Sequence, residues 1–250
     1  VINQNTIPMK FARILLYLTF FVALIFLMSG YGYQWNIWEL GTGFTLLRYA
    51  AYASIGILAV SVVSLWFLRK SGFQAVFFLI IVLILSGVAS GTALFWQQRA
   101  QSVPAIHDIS TDLESPPEFV AMVRLRADAP NPPEYAGEET ANAQREAYPE
   151  IQHLMLDADL QNVMDESVML VLDRGWDLVA INRQEGRIEA TEHLAWFGFK
   201  DDVVLRFTET ETGEGTRVDM RSKSRIGRSD VGVNAKRIEQ FLDDLEDRLD

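Results

Sequence analysis

The pattern of apolar positions divides the 250 residues into two unlike parts. Three uncharged apolar runs, about Ile14–Gly30, Tyr49–Leu68 and Phe73–Trp96, each approach the roughly 20 residues a helix needs to cross about 30 Å of hydrocarbon. Residues 1–100 are therefore expected to form a membrane domain of three transmembrane helices. Beyond them the runs shorten and the period changes. From Asp157 or Asp159 to Asp173, the apolar residues Leu160, Val163, Met164, Val168, Val171 and Leu172 recur at helical spacing, with aspartates at the start and Gly175 just past the end. A period of two follows, predicting strands over Trp176–Asn182, Arg187–Glu192, Leu194–Phe199, Val203–Thr208 and Arg217–Arg225, the last after a turn at Glu211–Gly215. That last strand sets Val218, Met220, Ser222 and Ser224 against Arg217, Asp219, Arg221, Lys223 and Arg225, so one face is small or apolar and the other almost all charge. A final helix, Ser229–Arg248, carries Val233, Ile238, Phe241, Leu242, Leu245 and Leu249 on one stripe, with Ser229 or Asp230 as its cap. The fold class read from this order is α+β. Residues 101–250 form a small antiparallel sheet covered on one face by two amphipathic helices.

Two segments lie outside these periods. Pro116 and Pro117 disfavour helix before residue 119, and Phe119–Arg126 reads as a strand or an extended strap. Ala127–Glu150 is rich in Pro, Ala and acid, and reads as a disordered stretch or a surface strap.

Charge sharpens the division. Residues 1–100 hold Lys10, Arg13, Arg48, Arg69, Lys70 and Arg99 against Glu39 alone, whereas the remainder holds sixteen basic and 32 acidic residues. The pI of 4.8 belongs to the second part, and so acidic a domain is expected not to bind nucleic acid. The absence of cysteine excludes disulfides, thiolate nucleophiles and Cys-ligated metal centres. Lys10, Arg13, Arg69 and Lys70 flank one side of the spans, and Arg48 and Arg99 the other. By the positive-inside rule the N-terminus faces the cytoplasm, and residues 101–250 lie in the periplasm of a bacterial inner membrane. A cleaved signal peptide is the rival reading of the first run, but no small-residue cleavage site follows it and two more spans do. Met9-Lys10 reads as a natural start, which would leave residues 1–8 without structure.

Candidate chemistry is sparse. His107, His153 and His193 share no metal-ligand spacing, and no HExxH, GxSxG, Walker-type or GxGxxG pattern occurs. No metal or cofactor is expected, and hydrolysis by unidentified carboxylates is the third reading of function. In the third span, Ser86, Gly87, Ser90 and Gly91 form overlapping small-xxx-small pairs. These suit close helix packing, either against the chain's own spans or against a partner subunit. Membrane lipid and another membrane protein are the expected partners. The densest basic window is Arg221–Ile238, with six Lys/Arg against Asp230. Arg221, Arg225 and Arg228 have two readings. They pair internally with Asp108, Asp112 or the acidic segment, or they join Ser229 and a helix start in an anion site that Asp230 partly fills.

The HDIST segment at 107–111, the proline pair, Gly175-Trp176, the Asp201-Asp202-Val203 strand start and the closing RSxSRxGxSDxGxNxxRI pattern together resemble a known family. In this chain that closing pattern is met by Arg221, Ser222, Ser224, Arg225, Gly227, Ser229, Asp230, Gly232, Asn234, Arg237 and Ile238. The family is the bacterial and plastid one catalogued as domain of unknown function 1499. The resemblance covers about residues 104–247, and the three-span part is similar to one of its subgroups. It carries no activity or catalytic residues across. Plastid relatives are associated with thylakoids, which implies a place beside energy-converting membrane complexes. The expectation is thus a non-enzymatic accessory or stabilising subunit of an inner-membrane complex, with a periplasmic binding module for an anionic or lipidic ligand as the alternative.

Overall fold

The computed structural model describes residues 6–211, 213 and 215–249, in two compact units. One holds the helices up to Gln98 together with Trp196–Gly198; the other holds Arg99–Ala195 and Phe199 onward.

Three helices, α1 (Thr6–Gln34), α2 (Leu40–Leu68) and α3 (Phe73–Ser102), are long and apolar enough to cross a membrane. All three exceed the apolar runs that predict them. The stretch between the first two runs shrinks accordingly to a connection of residues 35–39, because aromatic and glycine positions continue the helices. Thr6–Pro8 are helical, contrary to the expectation for residues 1–8, and residues 1–5 lie outside the described part. On α2 the buried positions are Gly43, Ala50, Ser54, Ile57, Ser61 and Ser64, a seam at spacings of three, four and seven. Small residues there let α1 and α2 approach closely where apolar burial gives no driving force. At Gly43 a Cβ would stand 2.6 Å from the carbonyl oxygen of Ser29, so only glycine fits. The hydroxyls of Ser54, Ser61, Ser64, Thr19, Ser29 and Ser86 return to carbonyls three or four residues back, which satisfies them without water.

Trp196–Gly198 interrupts what the alternation predicts as a strand over Leu194–Phe199. The amide of Leu194 bonds to the carbonyl of Phe199 at 2.8 Å, closing a turn. Trp196 stacks on Phe26 at 5.4 Å and donates Nε1 to Leu27 O at 2.9 Å, while Phe197 stacks on Phe44 at 5.2 Å. A Cβ at Gly30 would meet the Trp196 ring at 2.5 Å. Aromatic burial among helix residues outweighs strand pairing at this turn.

The second unit is a six-stranded antiparallel sheet with helices. The strands are β1 (Asp108–Ser110), β2 (Leu154–Leu156), β3 (Asp177–Asn182), β4 (Arg187–His193), β5 (Lys200–Glu209) and β6 (Thr216–Ser224), in the order β1-β6-β5-β4-β3 with β2 also beside β6. Helices α5 (Leu160–Asp173) and α6 (Val233–Leu249) cover one face, where Val163, Met164, Val171, Ile238, Phe241 and Leu245 pack on Ile109, Ile188, Val203, Leu205, Val218 and Met220. Asp159 caps α5, accepting from the amides of Gln161 and Asn162.

Two segments differ from expectation. Ala121–Arg126 is a 3₁₀ helix rather than a strand, because the buried Glu189 carboxylate collects the amides of Val120, Ala121 and Met122 at 2.8–3.1 Å. Within Ala127–Glu150, residues Glu138–Ala147 form helix α4. From it the buried Gln144 accepts from Ser110 N at 3.0 Å and donates to Ser110 O at 2.7 Å, covering the free edge of β1. Residues 111–137 thereby lie over the second face of the sheet, the one that carries the charges.

Candidate functional site

The period of two along β6 sends Val218, Met220, Ser222 and Ser224 under the helices and Asp219, Arg221 and Lys223 beneath residues 111–137. All seven are buried. Two carboxylates organise the charged side. Asp108, from β1, holds Arg221 through two parallel bonds of 2.8 and 2.9 Å and Lys223 at 3.1 Å, and accepts the amide of Ala136 at 3.0 Å. Asp202, from β5, holds Arg126 at 2.7 Å and Arg225 through two bonds of 2.8 Å, and accepts from Thr191 Oγ1 at 2.7 Å. Both carboxylates are wholly buried, where paired, hydrogen-bonded charges alone are tolerated.

Four cations thus meet two carboxylates, and main-chain oxygens of the covering segment accept from each of the four as well. Arg221 donates to Pro117 O and Pro133 O, Lys223 to Glu134 O, Arg126 to Asn131 O, and Arg225 to Leu125 O. The guanidinium of Arg221 also lies 4.9 Å from the ring centre of Phe119 and 5.3 Å from that of Tyr135. Burial pushes the Lys223 ammonium below its ordinary pKa against the pull of Asp108, and lowers Arg126 likewise. Burial first, and then the charge of Asp108, push the Tyr135 phenol up to about 12. Its hydroxyl is buried with no hydrogen-bond partner, as is Nε of Arg126.

Asp112 lies in a separate cluster. It accepts from Arg206 at 2.8 Å and from the amides of Ser115 and Glu114 at 2.9 and 3.1 Å, while Arg206 and Arg217 both reach Asp219 at 2.9 Å. Burial alone would raise the Asp112 carboxyl; the Ser115 amide and Arg206 hold it below its ordinary range. Beside it opens a cleft of about 560 Å³ whose wall includes Gln144, Arg145, Tyr148, Ile151 and Arg217. On the helix side, Arg237 of α6 binds Asp201 at 2.7 Å, Glu192, Ser222 Oγ at 2.9 Å and Asn234 Oδ1.

The structure brings Asp108 and Arg221 together. Arg225 is held by Asp202, and neither it nor Arg221 reaches Asp112. Arg228 is exposed and makes no ion pair among the described residues. At the start of α6, Ser229 Oγ accepts from Val231 N at 3.1 Å, and Asp230 accepts from the amides of Gly232 and Asn234 at 2.8 and 2.9 Å, so the helix end is filled by its own side chains. Burial raises the Asp230 carboxyl. In the membrane unit Ser86 and Ser90 are buried. Gly87 has only Leu58 Cδ1, at 3.9 Å, near the position of a Cβ, and Gly91 has nothing within 4 Å. Among the described residues no cluster of His, Asp and Glu is arranged to hold a metal ion. His193 pairs with Asp177 at 2.9 Å, and His107 Nδ1 lies 3.5 Å from Arg228 O, its pKa lowered by burial.

Sequence reasoning missed Arg126, Glu189, Asp202 and Lys223. The signal for Lys223 was present, since it shares the β6 face of Arg221. The Asp201-Asp202 pair at a strand start likewise places one carboxylate on each face.

The family model described as "Protein of unknown function (DUF1499)" matches residues 108–245, a span that runs from Asp108 to Leu245 of α6. No curated protein and no solved structure matches the chain.

Proposed function

This chain belongs to the protein family of unknown function DUF1499, and we propose that it serves as a non-enzymatic accessory or stabilising subunit of a larger membrane complex. The observation that carries the reading is the open small-residue face of α3. The space above Gly91 is empty to 4 Å and that above Gly87 nearly so, which leaves room for the backbone of another helix. The exposed side chains of Ile84, Val88 and Leu94 flank it. The interior of the second unit supports the same reading. Asp108 and Asp202 hold the arginines Arg126, Arg221 and Arg225 between strands and covering segment, as a joint that stiffens a surface rather than a site poised for reaction. Gentle extraction followed by mass measurement tests it. The native chain is expected in an assembly heavier than itself, and Gly91→Leu is expected to release the partner without disturbing the chain's own fold. A strictly monomeric species with nothing co-purifying would count against it.

The membrane in this proposal is a bacterial inner membrane, with the N-terminus in the cytoplasm and residues 101–250 in the periplasm. Support comes from Lys10, Arg13, Arg69 and Lys70 on one side of the spans against Arg48 and Arg99 on the other. Since the chain has no cysteine, single cysteines placed at Ser71 and Gln152 and labelled from outside spheroplasts would report the orientation directly. A second reading, an anionic ligand taken up under residues 111–137, is favoured by the excess of four cations over Asp108 and Asp202. Inorganic phosphate would then raise the melting temperature of the full chain, and an unchanged value would remove the reading.

A further inference from the structure

Of the sixteen lysines and arginines after residue 100, twelve engage in ion pairs; Arg124, Lys200, Arg228 and Lys236 are exposed and make none among the described residues. Three of these four gather around Arg225. The Arg225 amide donates to Lys200 O at 2.9 Å, its carbonyl accepts from Asn131 N at 3.0 Å, and its Nη1 donates to Leu125 O at 3.0 Å. Asn131 Nδ2 in turn donates to Gly227 O at 2.9 Å. Arg124 adjoins Leu125 and Arg228 adjoins Gly227, so these bonds hold Arg124, Lys200 and Arg228 at one end of β5 and β6. Val123 and Leu125 are 45% and 52% exposed in the same segment, and Asp128 is the exposed acid nearby.

Unpaired cations beside bare aliphatic side chains are unexpected in an acidic unit with carboxylates to spare. The chain's course gives them a partner. Lys200 follows Gly198, a residue of the helical unit, by two positions, a reach of about 7 Å. Helices apolar enough to cross a membrane thus lie close along the chain, and a lipid surface is the partner that the chain's own course brings near. Anionic headgroups complement the cations, and the boundary below those headgroups accepts aliphatic side chains.

We propose that Arg124, Lys200 and Arg228, with Val123 and Leu125 beside them, form a surface that binds anionic phospholipid headgroups. The proposal rests on the helices spanning a bilayer, which reconstitution itself checks. The test compares the full chain in nanodiscs of phosphatidylcholine alone and with added phosphatidylglycerol, followed by amide hydrogen exchange over residues 120–131 and 226–231. Anionic lipid is expected to slow exchange there about tenfold, and high salt to reverse it. The variant Arg124→Glu/Lys200→Glu/Arg228→Glu, altered only at exposed positions, is expected to melt as the parent does and to lose the lipid-dependent slowing. Equal exchange in both discs, or slowing that survives in the variant, overturns the proposal. So does protection seen only in native membranes, which would assign the surface to a protein partner. Failure of the chain to insert into either disc would instead overturn the membrane reading beneath it.

Discussion

The two faces of the sheet are equally dry and are kept so by opposite means. Under α5 and α6, Phe241, Ile238 and Leu245 exclude water as any apolar core does, and shape alone decides the fit. Under residues 111–137, a layer of guanidinium, ammonium and carboxylate groups is closed by the main-chain oxygens of a segment with almost no regular structure. An apolar face tolerates gradual loss of contact. A charged face does not, because each buried ion depends on specific partners, and removing one leaves the others uncompensated. The difference explains how a proline-rich segment holds one conformation: the cations of the sheet select where its carbonyls must stand.

The largest expected effect comes from breaking the charged face at one point. Asp202→Ala leaves Arg126 and Arg225 facing each other without their carboxylate, and should cost roughly 3–5 kcal/mol, measured by thermal unfolding of the full chain in mild detergent. Phe241→Ala, the matching cut in the apolar face, should cost about 3–5 kcal/mol as well. The two differ in reach, since only Asp202→Ala should speed hydrogen exchange throughout residues 119–136. Glu189→Gln comes next, at about 1–3 kcal/mol, because the charge that gathers three amides at the start of the 3₁₀ helix is lost. Exchange of Val120 and Met122 would report it, and unchanged protection would contradict the capping role. Smallest is Tyr135→Phe, which removes a buried hydroxyl without a partner and should be neutral or stabilise by up to about 1 kcal/mol.

Tyr135 also fixes the sign of one pH dependence. Its folded pKa, about 12, lies above its ordinary value of 10.0, so the stability linked to it is complete below 10 and lost as pH rises toward 12. Tyr135→Phe should flatten that loss in an alkaline unfolding series. Asp112 runs the other way. Its lowered carboxyl adds stability above its ordinary pKa that disappears as pH falls through the folded value, a modest contribution for a partly exposed cluster.

What the chain's pattern disclosed follows from the range of the interactions involved. Spans, α5, α6 and most strands are legible because each is set by apolar spacing within a single segment. The turn at Trp196–Gly198 is not, because its aromatics answer to Phe26 and Phe44, far away in sequence. Helix α4 could have been found, since most of Glu138–Ala147 is good helix formers, set between a proline-rich stretch and Pro149. The charged site was half legible. Basic side chains were visible at Arg221 and Arg225, and Asp108 was a named candidate. The choice of Asp202 for Arg225, and the entry of Arg126 from 76 residues before Asp202, depend on the register of β5 with β6 and on a 3₁₀ turn that no local period announces.

The buried charges form a structural joint whose members serve one another. The most direct measurement compares the melting of Asp108→Ala with that of Asp108→Leu/Arg221→Met/Lys223→Met in the full chain. If the charges serve only one another, the single substitution strands two buried cations and costs several kcal/mol, whereas the triple replacement by apolar groups of similar size costs less than the single one. If the triple variant is as damaged as the single, or more so, the bonds from these cations to the carbonyls of Pro117, Pro133 and Glu134 outweigh their pairing with Asp108, and mutual pairing of the charges is not what holds this face together.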